Sequence, residues 1–235
     1  MADNIKDILV DDSVTVQDAA KKITSSCITA IEKNEDASKI EDELHALWSG
    51  ILTAAEQTPH DRQDKLVQVM QAIKELAPSG DKAKKFVVWG RRRAGMRCPS
   101  QEDSEDACVN INAFFARVTA AGVDDFTLYA IWTLREAIED PAADEIAQKT
   151  SPKLLKAASV WFIYAGDSLA KATKEGKQFD GKMAKPGASL RDGAEWRGFC
   201  DDRWKVWQQR MSTLKDADLP EETKTLVEKA CQGLN

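Results

Sequence analysis

Almost every long segment of this chain repeats its apolar residues at intervals of three and four. From Ile40 to Ala55 they fall at Ile40, Leu44, Leu47, Trp48, Ile51 and Leu52, which is one face of a helix. Leu66, Val69, Met70, Ile73 and Leu76 repeat the pattern, and Pro78-Ser79-Gly80 ends it. Thr58-Pro59 ahead of that run reads as its N-cap and first turn. Upstream, Val16, Ile23, Cys27, Ile28 and Ile31 predict a further N-terminal helix. Ser151-Pro152 opens a helix carrying Leu154, Leu155, Ala158, Trp161, Phe162, Ala165 and Leu169. Phe199, Trp204, Trp207, Met211 and Leu214 mark another, and Leu219-Pro220-Glu221-Glu222 starts the last.

No pair of segments alternates as paired strands would. The expected fold is all-α: a single irregular helical bundle of about eight helices with a long basic loop between its N-terminal and C-terminal halves. The expected domain is residues 1–235, with 1–35 a loosely attached N-terminal helix. Loops are expected at 81–106 and 176–193, the second rich in Gly and Lys.

Composition narrows the chemistry. The chain has only 2 histidines, His45 and His60, so a three-histidine metal site is excluded and no H-E-x-x-H motif exists. Cys27, Cys98, Cys108, Cys200 and Cys231 form no C-x-x-C pair, which fits thiols packed as small hydrophobes in a reducing compartment. Asp201-Asp202, Asp11-Asp12 and Asp124-Asp125 each lack the third carboxylate of a D-D-x-x-D magnesium motif. No cofactor-binding motif is present. The net charge of −6 argues against a dedicated nucleic-acid binder. No apolar run is long enough to span a bilayer, and the N-terminus has no leader-like pattern. The expectation is a cytoplasmic protein.

Four motifs in the second half are distinctive. They are Asn110-Ile111-Asn112-Ala113-Phe114-Phe115-Ala116-Arg117, Tyr129-Ala130-Ile131-Trp132-Thr133-Leu134-Arg135-Glu136-Ala137-Ile138-Glu139, Ala157-Ala158-Ser159-Val160-Trp161-Phe162-Ile163-Tyr164-Ala165-Gly166 and Arg203-Trp204-Lys205-Val206-Trp207. Together they resemble the fungal DUF3632 family of helical proteins of unknown function. The resemblance runs from about residue 40 to the end. It implies a fungal, intracellular, all-α protein and no particular activity. Where the family often carries an apolar or plain polar stretch after Trp89-Gly90, this chain carries Arg91-Arg92-Arg93.

Two sets of residues are candidates for function. Tyr129 and Trp132, Trp161 and Tyr164, and Trp204 and Trp207 are pairs three apart on helical faces. Their plainer role is core packing; their sharper one is an aromatic pocket for a small molecule, floored by Arg135 and Glu136. Arg135 and Glu139, four apart, have the spacing of an intrahelical ion pair. The second set is Trp89 with Arg91, Arg92 and Arg93. It reads as a solvated loop, as a partner or phosphate contact, or with Lys82, Lys84 and Lys85 as a nuclear-import signal. The leading functional expectation is a non-enzymatic protein with a protein partner. The alternative is a small-molecule binder or unorthodox secondary-metabolism enzyme with that aromatic pocket.

Overall fold

The structure, a computed structural model, describes residues 2–76 and 105–234. The chain is all-α. Among the described residues the one β-type feature is an isolated antiparallel bridge between Gln178 and Gly198. The chain divides into two compact units, residues 1–103 and 104–235.

The first unit contains α1 (Ala2–Val10), α2 (Val16–Glu32), α3 (Ala37–Gln57) and α4 (Asp64–Leu76). Thr15 caps α2, its hydroxyl accepting from the Asp18 amide. Helix α1 lies on α3, and α2 lies on both α3 and α4. Leu9, Ile23, Cys27, Ile31, Leu44, Leu47, Ile51, Val69 and Ile73 are buried between them. These are the residues that the three-and-four spacing puts on one face of each helix.

The break between α3 and α4 differs from the sequence expectation. Thr58 closes α3 rather than opening α4: its hydroxyl donates to the Ala54 carbonyl at 2.7 Å. Its extended backbone would suit either role, but the last turn of α3 offers acceptors that need a donor. Gln63, fully buried, supplies two more donations, from Nε2 to the carbonyls of Ala55 and Thr58.

The second unit is built on α8 (Pro152–Lys174), capped by Ser151 with Pro152 in its first turn. Against it pack α5 (Glu105–Ala120), α6 (Thr127–Leu134) and α10 (Glu221–Gln232). Trp161, Phe162 and Leu169 of α8 are buried. The helix kinks at Ala165, whose backbone leaves the helical region at φ −129° and ψ 16°. A short helix, α7 (Ile146–Lys149), precedes it, and α9 (Asp201–Leu214) comes between α8 and α10. The acidic pairs act as local caps: Asp125 Oδ1 accepts from the amide and hydroxyl of Thr127, and Asp201 and Asp202 sit in the first turn of α9.

Helix α6 does not stop at Leu134. It continues as a π turn, Arg135–Glu139, in which the Asp140 amide reaches back to the Arg135 carbonyl at 2.7 Å. Ala137, Ile138 and Glu139 of this wider turn are all buried.

Cysteine chemistry divides. Cys27, Cys200 and Cys231 are free thiols, whereas Cys108 is disulfide-bonded, contrary to the expectation of thiols throughout. Burial in the first unit, assisted by the charge of Glu43, pushes the Cys27 thiol up from 9.0 to about 12. The folded state therefore favours the neutral thiol. Its contribution to stability is complete below about pH 9 and is lost as pH rises through about 12. Unfolding free energy measured from pH 8 to 12 should fall more steeply for the native protein than for Cys27→Ala. Parallel curves would show that the thiol ionises as freely in the fold as outside it.

Candidate functional site

The most polar buried place in the second unit centres on Glu139, on the π turn. The carboxylate is fully buried, and so is its partner Arg203 on α9. Glu139 Oε1 accepts from Arg203 Nε at 2.7 Å and from Trp207 Nε1 at 2.6 Å. Oε2 accepts from Arg203 Nη2 at 2.9 Å and from the Gly187 amide at 2.9 Å. An ionised carboxylate has about four acceptor positions, and here each is used.

Arg203 is equally occupied. Besides the two bonds to Glu139, Nη1 donates to the carbonyls of Ala184 and Gly198, and Nη2 to that of Lys185. A guanidinium has five N–H donors, and all five find oxygen. Its carbon also lies 5.5 Å from the Trp207 ring centroid and 5.6 Å from that of Trp196.

Four of these partners come from one irregular segment, residues 176–200, that straps across the π turn. Its ends are pinned together: the Phe179 amide donates to the Arg197 carbonyl and the Phe199 amide to the Lys177 carbonyl, both at 2.8 Å. A Cβ at Gly198 would lie 2.0 Å from the Lys177 carbonyl oxygen, so only glycine permits that approach. Gly187 is the equivalent in the middle, where a Cβ would meet the Glu139 backbone and Cβ at 2.4 Å. Further fastenings are the Ala188 amide to Asp140 Oδ1 at 2.7 Å and the Ser189 hydroxyl to the Glu139 carbonyl at 2.7 Å. The Met183 carbonyl accepts from Trp132 Nε1 at 2.8 Å and Arg135 Nη1 at 3.2 Å.

A second polar centre is Asn112 on α5, 1% exposed. Its Oδ1 accepts from Trp161 Nε1 at 2.8 Å and Thr133 Oγ1 at 2.9 Å, joining α5, α8 and α6. Its Nδ2 donates to the Cys108 carbonyl.

The sequence-predicted aromatic pairs take different stations. Tyr129 meets Trp132 edge-on at 5.1 Å and stacks with Phe126 at 5.5 Å. Trp204 and Trp207 meet each other at 6.0 Å and Phe162 at 6.1 Å. Trp161 is spent on Asn112, and the Tyr164 ring lies 3.8 Å beneath the Arg117 guanidinium. The three indoles of Trp132, Trp161 and Trp207 thus address three different acceptors. Glu136 is exposed, and Glu139 pairs with Arg203 rather than with Arg135. Trp89, Arg91, Arg92 and Arg93 lie outside the described residues.

The profile of one family, described as "Protein of unknown function (DUF3632)", matches residues 48–211. The chain belongs to this family. The matched stretch opens inside α3 and closes inside α9, so it takes in Asn112, Glu139, Arg203 and Trp207. Helices α1, α2 and α10 lie outside it. No curated protein and no solved structure matches the chain. Among the described residues no helix is long and apolar enough to cross a membrane. No group of three or more His, Cys, Asp or Glu there is arranged to hold a metal ion.

Reasoning from the sequence missed Arg203 as the partner of Glu139. One signal was available: Arg203 sits four residues from both Phe199 and Trp207, in line with an apolar stripe. A charge in such a line must either break the stripe or bring its own counter-ion. Glu139→Gln would leave the Arg203 charge buried without a partner, at a cost of about 3–5 kcal/mol. Denaturant unfolding should show that loss. A change below about 1 kcal/mol would place the pair in solvent contact.

Proposed function

We propose that this chain is a non-enzymatic, intracellular helical protein that acts by binding another macromolecule, specifically a protein. The observation that carries this reading is the saturation of Glu139 and Arg203. A catalytic acid, base or anion-binding group needs an unused lone pair or N–H aimed at a ligand. Glu139 and Arg203, the fully buried ion pair of the second unit, have none to offer, because the strap and the helices consume them. Asn112 is engaged in the same way, with its amide oxygen shared between Trp161 and Thr133. Such centres rigidify a scaffold.

The charge pattern supports a protein partner over a nucleic acid. Acidic residues outnumber basic ones across residues 1–76 as well as in the whole chain, and a phosphate backbone would be repelled by that excess. A cytoplasmic setting, or a nuclear one if the basic segment serves import, belongs to this reading, as does a fungal origin.

One observation favours a small-molecule reading instead. The rings of Tyr129, Trp132, Tyr164 and Trp204 are only partly buried, so each keeps an edge available for a planar ligand. Two experiments separate the readings. Tagged protein should recover a partner at fixed stoichiometry, and that partner, tagged in turn, should recover this chain. A metabolite screen followed by melting should find no ligand that raises the Tm by more than about 2 °C, which is on the order of 1 kcal/mol. No reciprocal partner, together with a strongly stabilising ligand, would overturn the proposal.

A further inference from the structure

We propose that Ser189 is a phosphorylation site whose phosphate is received by Arg210. Ser189 is the one hydroxyl-bearing residue between 176 and 200. It lies in the single 3-10 turn of the strap, Ala188–Leu190, and is exposed. Its Oγ accepts from Arg210 Nη2 at 3.0 Å while donating to the Glu139 carbonyl.

Arg210 is the unusual member of this contact. It is 8% exposed, yet every hydrogen bond it makes goes to a neutral oxygen. Nη1 donates to the Ile138 and Pro141 carbonyls, and Nη2 to Ser189. Burial lowers its pKa, and the nearest compensating charge, Glu139, is already bonded to Arg203. Nε–H and one Nη2–H have no acceptor among the described residues. A guanidinium held at Nη1 by two carbonyls, short of an anion and aimed at an exposed serine, is a receiver for a phosphoryl group.

The chemistry is ordinary phosphoryl transfer from ATP, delivered by a protein kinase. The γ-phosphoryl group forms a bond to Ser189 Oγ, the bond to the β-phosphate oxygen breaks, the hydroxyl proton passes to a base of the kinase, and ADP leaves. The modified residue loses its donation to the Glu139 carbonyl and gains charge-assisted bonds to Arg210. The exposed Asp140 carboxylate, which holds the Ala188 amide, opposes the new charge but makes no hydrogen bond with Ser189. The exchange fastens the strap more tightly to α9.

The test compares unmodified protein with protein carrying phosphoserine at position 189, in native and Arg210→Gln backgrounds. By phosphorus NMR the phosphate in the native background should titrate about one unit below its usual value near 6. Its Tm should rise by about 2–4 °C. Both shifts should vanish in Arg210→Gln. A native midpoint at or above about 6 overturns the proposal whether or not the variant folds, and so do shifts that persist without the arginine. Inorganic phosphate raising the Tm of unmodified protein by the same amount would make this a free-anion site and also overturn it. Protein recovered from the cells that make it should carry phosphate on Ser189 by mass spectrometry. A position that stays unmodified in every growth condition overturns the assignment.

Discussion

A carboxylate and a guanidinium, both removed from water, set the terms for the second unit. Desolvating two such groups costs several kcal/mol each, and their mutual attraction offsets this only when the remaining lone pairs and protons are also satisfied. Glu139 alone cannot satisfy Arg203, which has three donors left after the bidentate contact. The carbonyls of Ala184, Lys185 and Gly198 take them. All three belong to the strap, so the ion pair and the strap's path are one constraint. The π turn meets the same constraint from the other side, by rotating Glu139 inward beside Ile138. Gly187 and Gly198 meet it with backbone that lies too close for any side chain.

The helices were legible in the sequence because burial of one face leaves a three-and-four signature. Leu44, Leu47 and Ile51 lie in the core for that reason, and the all-α class follows. The α3–α4 break was misread because Thr58-Pro59 carries the same residue types whether a threonine hydroxyl accepts at a start or donates at an end. Only the position of Ala54 decides. The strap was illegible for a different reason. Its order comes from backbone carbonyls and amides meeting side chains far along the chain, and a Gly- and Lys-rich composition does not encode such partners. Glu139 was hidden because the π turn breaks the period on which the helix reading depends.

For the candidate site, the sequence marked the right helices and the wrong currency. Aromatic spacing drew attention to Trp132, Trp161 and Trp207, and all three proved to be hydrogen-bond donors as much as packing surfaces. Each indole N–H finishes a different network: the Met183 carbonyl, Asn112 and Glu139. The indoles of Trp161 and Trp207 thus close buried acceptors without adding titratable groups. That arrangement favours a fixed scaffold over a reactive centre. It leaves Arg210 and Ser189, at the strap's outer edge, as the place where charge is incompletely matched.

The central claim is that the buried pair holds the strap in place. Hydrogen exchange at the Gly187 amide reports on it most directly, because that N–H is bonded to Glu139 Oε2 and to no other secondary-structure ladder. In the native protein this amide should exchange as slowly as the core of α8, and in Glu139→Gln at least about tenfold faster, a loss of 1.4 kcal/mol or more in local protection. Fast exchange in the native protein, or equal protection in both, would contradict the account.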